Sequence, residues 1–301
     1  MTQRRGASLT STGISQDAFG GFDWGLLTGI ALIWGSSFLF MAIGLEAFEP
    51  GVITLARIAL GMLALALVPR ARRPIEPADR ARVAALGIIW IAIPLTLFPI
   101  AQQWIDSSVA GMINGAVPIT TAIWASLLLR TLPGKRQVLG IAIGFLGVVS
   151  VFLPELRESS ATALGTGLVA LAIVLYGLSA NMAVPLQQKY GALPVLLRAQ
   201  LWALVVVVPV GVVQIPSSHW EWDAALAMIP LGILGTGLAF VLMATLVGRV
   251  GGTRGSVAIY FVPVVAVALG VIVRGEEVEP IALAGTALVL LGAWVTSRRE
   301  G

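Results

Sequence analysis

The sequence predicts an all-α polytopic membrane protein in which ten transmembrane helices form two inverted five-helix repeats. Hydrophobic residues make up 57% of the 301 positions and charged residues only 11%, whereas a soluble domain carries roughly 25% charged residues. The apolar residues fall into runs of about 20, the length that crosses a bilayer as a helix. A pattern also returns 145 positions later, aligning Pro118 with Pro263 and Gly147 with Gly292, and this indicates an internal duplication.

Ten apolar runs follow one another along the chain, separated by short polar connections. They cover about residues 23–44, 50–69, 82–102, 107–130, 135–153, 162–187, 193–214, 223–247, 253–273 and 279–297. We predict that residues 23–153 form the first repeat and residues 162–297 the second. Residues 1–22 are polar and lack a cleavable signal pattern, so we expect them to form a disordered cytoplasmic tail.

The distribution of charge predicts that both chain ends are cytoplasmic, because loops rich in Lys and Arg stay on that side. The loops on the side of the N-terminus carry most of the basic residues, which are Arg70, Arg72, Arg73, Arg80, Arg82, Arg130, Lys135, Arg136, Lys189, Arg249 and Arg254. The opposite loops carry mainly acids, which are Glu46, Glu49, Asp106, Glu155, Glu158, Glu221, Asp223, Glu276, Glu277 and Glu279. Five spans per half is an odd number, so the second half must enter the membrane from the opposite face. Inverted repeats of this kind are typical of secondary transporters, whose substrate site lies between the halves near the midplane.

Composition argues against several other classes of protein. The chain has no cysteine and one histidine, His219, so neither a thiolate metal site nor a histidine cluster is available. No Asp or Glu lies near the middle of a span, and an intramembrane enzyme would need a paired acid and base or an activated nucleophile. We therefore expect no enzyme activity, no metal and no cofactor. For the same reason, we expect either transport driven by the substrate gradient or a coupling that does not protonate a mid-membrane acid.

The predicted partners are a small-molecule substrate and membrane lipid. The net charge of +4 resides in short loops, where control of topology explains it better than nucleic-acid binding. The fifth and tenth spans contain closely spaced glycines, which let helices approach one another. We interpret both as peripheral packing helices, with contact to a second subunit as an alternative, so the chain is expected to be a monomer or a weak homodimer.

Polar, aromatic and helix-loosening residues fall near the middle of several spans and predict a central cavity. The candidate substrate-binding residues are Trp34, Ser37, Trp90, Asn114, Tyr176, Asn181 and Tyr260. The candidate gating or hinge residues are Pro94, Pro118, Gly235 and Pro263. Helix packing is the competing interpretation for each of them, since such side chains also join helices.

Two arginines, Arg57 and Arg198, lie inside spans at matching places in the two halves. A charge within the membrane is costly, which makes each a candidate functional residue. Snorkelling or binding of backbone carbonyls is the alternative, and we favour this structural role for the pair. Of the two, Arg57 is the better candidate for attracting a carboxylate.

Three segments resemble the drug/metabolite transporter superfamily and its EamA-type repeats. The segment LIWGSSF at residues 32–38 resembles the opening of such a repeat, together with the distant Arg57. The segment AGMINGAVP at residues 110–118 and the region 237–263 resemble other parts of it. Within the superfamily, the chain is most similar to the YddG-type amino-acid exporters of bacterial inner membranes. The resemblance implies ten helices with cytoplasmic ends, a cavity formed by helices one to four and six to nine, and export of amino acids, aromatic ones among them.

These observations predict a secondary transporter that exports amino acids and related metabolites by alternating access. A multidrug or nucleotide-sugar carrier is the alternative within transport, although nucleotide sugars would call for basic residues at mid-depth. A non-transporting membrane scaffold is a third hypothesis, from another class of protein.

Overall fold

The computed structural model describes residues 20–130, 134–250 and 257–297, and within these ranges all regular structure is helical. The helices are α1 (Gly21–Gly44), α2 (Pro50–Ala66), α3 (Arg80–Leu86), α4 (Ile93–Ala101), α5 (Ser107–Asn114), α6 (Val117–Leu129), α7 (Lys135–Glu158), α8 (Ser160–Tyr190), α9 (Ala192–Gln214), α10 (Trp222–Ile229), α11 (Ala239–Val250), α12 (Val257–Tyr260), α13 (Val262–Arg274) and α14 (Pro280–Ser297). Residues 1–19 of the predicted tail lie outside the described residues. Residues 21 and 22, which the sequence assigned to the tail, belong to α1. The helix begins there because the Asp23 carboxylate accepts a hydrogen bond from the Gly20 amide, 3.1 Å away, at the helix end that favours negative charge.

Seven helical segments are long and apolar enough to cross a membrane. They are Gly21–Gly44, Pro77–Ala101, Ser107–Leu129, Lys135–Pro154, Ser160–Tyr190, Ala192–Ser217 and Trp222–Leu246. Three shorter apolar helices are Pro50–Ala66, Ala258–Arg274 and Pro280–Val295, and they fall within the second, ninth and tenth predicted runs. The chain is therefore an all-helical, polytopic membrane protein.

Three of the long segments and one of the shorter helices are interrupted, and the interruptions recur in the two halves. The π-helical stretch Gly87–Ala92 joins α3 to α4, and the π-helical stretch Pro230–Leu238 joins α10 to α11. Breaks also separate α5 from α6 and α12 from α13, each just before a proline at the second helical position, Pro118 or Pro263. Proline lacks the amide proton of the helical ladder and crowds the carbonyl four residues earlier, so the regular α-helix is interrupted at these places. The breaks before Pro118 and Pro263 keep the 145-residue offset read from the sequence, and the two π-helical stretches lie close to it.

Helices α7 and α14 pack backbone to backbone through their glycines. A Cβ atom at Gly292 would lie 2.6 Å from Gly144 Cα, and one at Gly147 would lie 2.6 Å from the Gly285 carbonyl oxygen. Only glycine permits so close an approach. These small-residue faces, for which contact with a second subunit was the alternative, thus pack against each other within the chain.

The connections between helices lie at two ends of the bundle. We call one end the acidic face; it holds residues 45–49, 102–106, 215–221 and 275–279, which are joined by bonds such as that from the His219 amide to the Ala47 carbonyl oxygen at 3.0 Å. The opposite end, the basic face, holds residues 67–79, 187–191 and 249. Helix α1 runs from Asp23 at the basic face to the acidic face. Helix α8 runs the other way, because a Cβ at Gly165 near its start would lie 2.9 Å from the Ala101 carbonyl oxygen, whereas Lys189 at its end binds Asp79.

Candidate functional site

Aromatic side chains from four helical segments meet between the two halves. The Trp34 ring of α1 lies edge-on to Phe240 of α11, with ring centroids 5.4 Å apart. Trp90, from the stretch Gly87–Ala92, packs edge-on against the same Phe240 at 5.4 Å. Phe240 thus bridges two of the predicted site residues, and edge-to-face pairs of this kind are favourable because the ring edge is positive and the face negative.

A second row of rings continues from α1 into α4 and α8. Phe38 lies edge-on to Phe98 with centroids 5.5 Å apart, and Phe98 stacks on Tyr176 at 6.0 Å. We refer to Trp34, Phe240, Trp90, Phe38, Phe98 and Tyr176 together as the aromatic cluster. Trp34, Trp90 and Tyr176 are half-buried and lie in the middle of their helical segments, so the cluster offers apolar surface at mid-depth.

The stretch Pro230–Leu238 is fixed to α1 by a close polar contact. The Trp34 indole donates a hydrogen bond to the Gly235 carbonyl oxygen over 3.1 Å. A Cβ atom at Gly235 would lie 2.7 Å from Ser37 Oγ, so a larger residue would push the two segments apart. Ser37 is buried and donates to the Ile33 carbonyl oxygen at 2.9 Å. Trp34, Ser37 and Gly235 therefore lie together, with Ser37 bonded within its own helix.

The same π-helical stretch contacts a buried charge. Arg57 of α2 is 5% exposed, and its Nε donates to Thr236 Oγ1 over 3.2 Å. Its Nη1 lies 3.2 Å from the Met41 sulfur. On the other side of Thr236, the Gln200 amide donates to the Thr236 carbonyl oxygen at 2.8 Å. Thr236 follows Gly235, whose carbonyl oxygen accepts the Trp34 hydrogen bond, and this connects the group to the aromatic cluster.

Three other predicted residues lie apart from the cluster or serve packing. Asn181 donates to the Thr121 carbonyl oxygen at 3.0 Å and to its own helix, so it joins α8 to α6. The Tyr260 hydroxyl donates to the Ala293 carbonyl oxygen at 2.9 Å and joins α12 to α14. Asn114 is half-buried at the end of α5, and it makes no recorded side-chain hydrogen bond within the described residues.

The candidate hinge residues occupy the interruptions of the helices. Pro94 is buried directly after Gly87–Ala92, and Gly235 lies inside Pro230–Leu238. Pro118 and Pro263 begin α6 and α13. All four thus lie where the α-helical ladder is already broken.

Arg57 and Arg198, which were predicted to occupy matching places in the two halves, have different surroundings. Arg198 is half-buried near the basic face, where its Nη2 lies 3.4 Å from the Arg72 carbonyl oxygen. It lines a small cavity of about 200 Å³ together with Arg80 and Trp202. The loop after α2 reaches Arg198 with a carbonyl group, which fits the snorkelling role, whereas Arg57 points into the interior.

The two halves are joined at the acidic face by buried and half-buried charges. The Glu276 carboxylate, whose side chain is 6% exposed, accepts hydrogen bonds from the Ser107 amide at 3.1 Å, Ser107 Oγ at 2.6 Å and the Ser108 amide at 2.9 Å. A second-half acid therefore caps the N-terminus of first-half helix α5, where the helix dipole favours negative charge. Arg274 adds an ion pair with Glu46 at 2.6 Å.

A cavity of about 460 Å³ opens beside this contact. Its walls include Ala42, Gln102, His219, Arg274 and Glu276. Gln102 donates to the Phe38 carbonyl oxygen at 3.2 Å, so the cavity reaches the backbone beneath the aromatic cluster. Its volume falls within the range of about 300–1,000 Å³ that small-molecule sites occupy. We call it the acidic vestibule.

A corresponding set of contacts joins the halves at the basic face. Lys189 binds both Glu76 at 2.6 Å and Asp79 at 2.9 Å, and the Tyr190 hydroxyl donates to Asp79 at 2.7 Å. Arg249 pairs with Asp23 at 2.6 Å. Polar contacts between the halves thus lie both above and below the aromatic cluster.

Sequence reasoning missed Gln200, Thr236 and Phe240. A signal existed for Gln200, since an amide within an apolar run must find a hydrogen-bond partner. Thr236 lies between Gly235 and Gly237, but a threonine is common in such helices. Phe240 carries no sequence signal, because aromatic residues in spans are usually packing residues.

Comparisons with known proteins agree with this architecture. The model of the EamA-like transporter family matches residues 24–153 and 163–298. An uncharacterized transporter of Archaeoglobus fulgidus is 25% identical over 92% of this chain and 99% of its own length. A probable terminal-alkyne amino-acid exporter of Streptantibioticus cattleyicolor is 24% identical over 92% of this chain and 93% of its own. A solved crystal structure superposes with a TM-score of 0.64 at 18% identity, covering 91% of this chain and 97% of that one. The two matched regions together span most of the sequence, and the chain therefore belongs to the EamA-like transporter family.

Proposed function

We propose that this protein exports amino acids, aromatic ones among them, and related small metabolites across the bacterial inner membrane. It works as a secondary transporter by alternating access, with ten spans in two inverted repeats and both termini in the cytoplasm. The aromatic cluster lies on the substrate path, and the polar contacts at the acidic and basic faces act as its two gates.

The observation that carries this proposal is the pair of contact sets that join the halves on opposite sides of one aromatic centre. A carrier of this type needs contacts that close one side while the other is open, and a site at mid-depth that both sides reach in turn. The Glu276 contacts with α5 fit a gate at the acidic face, and the Lys189 contacts with Asp79 fit a gate at the basic face. The opposite directions of α1 and α8, and the paired helix interruptions, support the inverted arrangement.

The substrate class rests on chemistry and on one relative. Rings such as Trp34, Trp90 and Tyr176 suit apolar and aromatic side chains, since a transferred ring gains both burial and edge-to-face contact. The relative named as an amino-acid exporter supports the same class. No carboxylate lies in the middle of a span in the sequence, which favours transport driven by the substrate gradient without a buried proton carrier.

Counterflow in reconstituted liposomes tests this proposal. Vesicles are loaded with one unlabelled compound and given a trace of radiolabelled compound outside, across amino acids, nucleotide sugars and cationic dyes. We expect accumulation of labelled phenylalanine and leucine in protein-containing vesicles and none in empty vesicles. Accumulation of dyes or nucleotide sugars alone would replace amino acids as the substrate class, and absence of any flux would favour a scaffold.

A further inference from the structure

We propose that Arg57 and Gln200 form a subsite for the head group of a zwitterionic α-amino acid. The Arg57 guanidinium binds the carboxylate, and the Gln200 side-chain oxygen accepts a hydrogen bond from the α-ammonium group. This inference rests on the proposed function, which it deepens by assigning the polar end of the substrate to two residues.

The first argument is the missing counter-charge of Arg57. Its guanidinium is almost fully buried, and within the described residues no carboxylate oxygen lies within salt-bridge distance of it. A guanidinium has five N–H donors, and the recorded hydrogen bonds use one on Thr236 and one on the Met41 sulfur. A thioether is a weak acceptor, so it compensates poorly for removing the charge from water. Buried charges are normally paired, and a substrate carboxylate is the partner that this site lacks.

The second argument is an unpaired acceptor close by. Gln200 has no exposed surface, and its Oε1 has no hydrogen-bond partner within the described part of the chain. The orientation of the amide is fixed, because its nitrogen donates to the Thr236 carbonyl oxygen and the oxygen must then point elsewhere. A buried acceptor without a donor is costly. An ammonium group supplies the donor that it needs.

The two groups bind the same residue. Arg57 binds the side chain of Thr236 and Gln200 binds its main chain, so a donor-rich group and a free acceptor flank a single residue. In an α-amino acid the carboxylate and ammonium are likewise attached to one carbon. Each group also suits one end of this head group. The guanidinium offers only donors, which a carboxylate accepts, and the amide oxygen only accepts, which suits an ammonium group.

Neighbouring side chains fit the rest of such a substrate. Thr236 lies next to Gly235, whose carbonyl oxygen binds Trp34 of the aromatic cluster, and Tyr176 and Trp90 both pack on the buried apolar residues that include Ala199 and Ala203. An apolar or aromatic side chain would therefore find the cluster beside its head group. Methionine side chains adapt their shape easily, and in this proposal the substrate carboxylate takes the place of the Met41 sulfur.

The test compares three substrates in counterflow and in ligand-induced thermal stabilisation of the purified protein. Phenylalanine carries both charges, phenylalaninamide lacks the carboxylate and N-acetylphenylalanine lacks the ammonium. We expect Arg57→Met to lower the apparent affinity for phenylalanine about tenfold to a hundredfold, the range for lost hydrogen bonds between charged groups. The affinity for phenylalaninamide should change less than about twofold. We expect Gln200→Leu to weaken phenylalanine binding while leaving N-acetylphenylalanine unchanged.

Controls separate a binding role from a structural one. Arg57→Lys retains the charge but not the planar fork, so it should keep the fold and still lose part of the discrimination between phenylalanine and its amide. Arg198→Lys is the matched control, since Arg198 lies near the basic face away from Thr236, and it should leave discrimination intact. Equal losses for phenylalanine and its amide in both Arg57 variants would overturn the subsite while leaving the proposed function standing. A wild-type protein that moves no amino acid would instead overturn both.

Discussion

Replacement of Glu276 by glutamine tests the gate at the acidic face. The Glu276 carboxylate is almost fully buried and accepts three hydrogen bonds from Ser107 and Ser108. Glutamine keeps the size of the side chain but removes its charge, and one of its two polar atoms becomes a donor that faces other donors. The variant should therefore weaken the contact between the halves without creating a cavity.

The expected size of the effect follows from these contacts. Hydrogen bonds to charged groups contribute about 1.5–3 kcal/mol each, and neutral ones about half as much. The interaction of a negative charge with a helix N-terminus adds about 0.3–1 kcal/mol. We take about 2 kcal/mol as the net loss in the closed state, because the glutamine oxygen retains part of the bonding. This corresponds to about a 30-fold shift toward the state that is open at the acidic face.

Cysteine labelling measures this shift directly. The chain contains no cysteine, so a single Ala266→Cys substitution places one thiol in the buried contact between α13 and α5, where Ala266 is 2% exposed and faces Gly111. A membrane-impermeant maleimide added from the acidic side should label this thiol about 30 times faster when Glu276→Gln is also present. The rate follows the open fraction as long as opening and closing are faster than labelling.

The neighbouring Glu277 provides the matched control. Glu277 lies in the same connection and is exposed, so Glu277→Gln makes the same change in charge without touching α5. We expect its labelling rate to equal that of the parent. Equal rates for both variants, or slower labelling with Glu276→Gln, would refute the assignment of Glu276 to a gate.

Three further predictions concern packing, the aromatic cluster and the basic face. Gly292→Ala should lower the melting temperature in detergent, because its Cβ would lie 2.6 Å from the α7 backbone and overpacking costs about 1–3 kcal/mol. Gly167→Ala is the control, since a Cβ atom there meets open space, and it should leave the melting temperature unchanged. Equal melting temperatures for the two variants would contradict the close packing of α7 and α14. Trp34→Ala should reduce uptake of phenylalanine in liposomes while leaving membrane insertion intact, and unchanged kinetics would remove this residue from the substrate path. Lys189→Met should speed labelling of a thiol placed inside the basic face, whereas Lys135→Met should not, and equal rates would contradict a gate there.

Much of the fold follows from the sequence because a bilayer imposes simple constraints. Apolar runs of spanning length must be helical, and the described helices correspond to these runs, although several extend a few residues beyond them, as α7 does to Glu158. The 145-residue offset also pairs the breaks before Pro118 and Pro263, where each proline removes an amide donor from the helical ladder. Three residues predicted to bind substrate, Trp34, Trp90 and Tyr176, lie in the aromatic cluster, and their contact with substrate stays a prediction.

The rest of the site depends on distances that no sequence pattern encodes. Asn181 and Tyr260 satisfy their polar groups on neighbouring backbones, and only the packing of α6 and α14 decides this. Arg57 and Arg198 look alike in the sequence, yet one faces Thr236 and the other faces a loop carbonyl. The capping of α5 by Glu276 joins residues 169 positions apart, so the local sequence around either residue does not indicate the other.

The π-helical stretches give the bundle a way to turn side chains without bending a helix. Each stretch has more residues per turn than the regular helices on either side of it. Such π-helical turns are frequent at functional sites. If Pro230–Leu238 tightened to α geometry by a single residue, the following helix would rotate by about 100° and slide by about 1.5 Å. Phe240 lies two residues beyond this stretch and would swing away from Trp34 and Trp90. A local change from π-helical to α-helical geometry would thus break the contacts of Phe240 with both tryptophans.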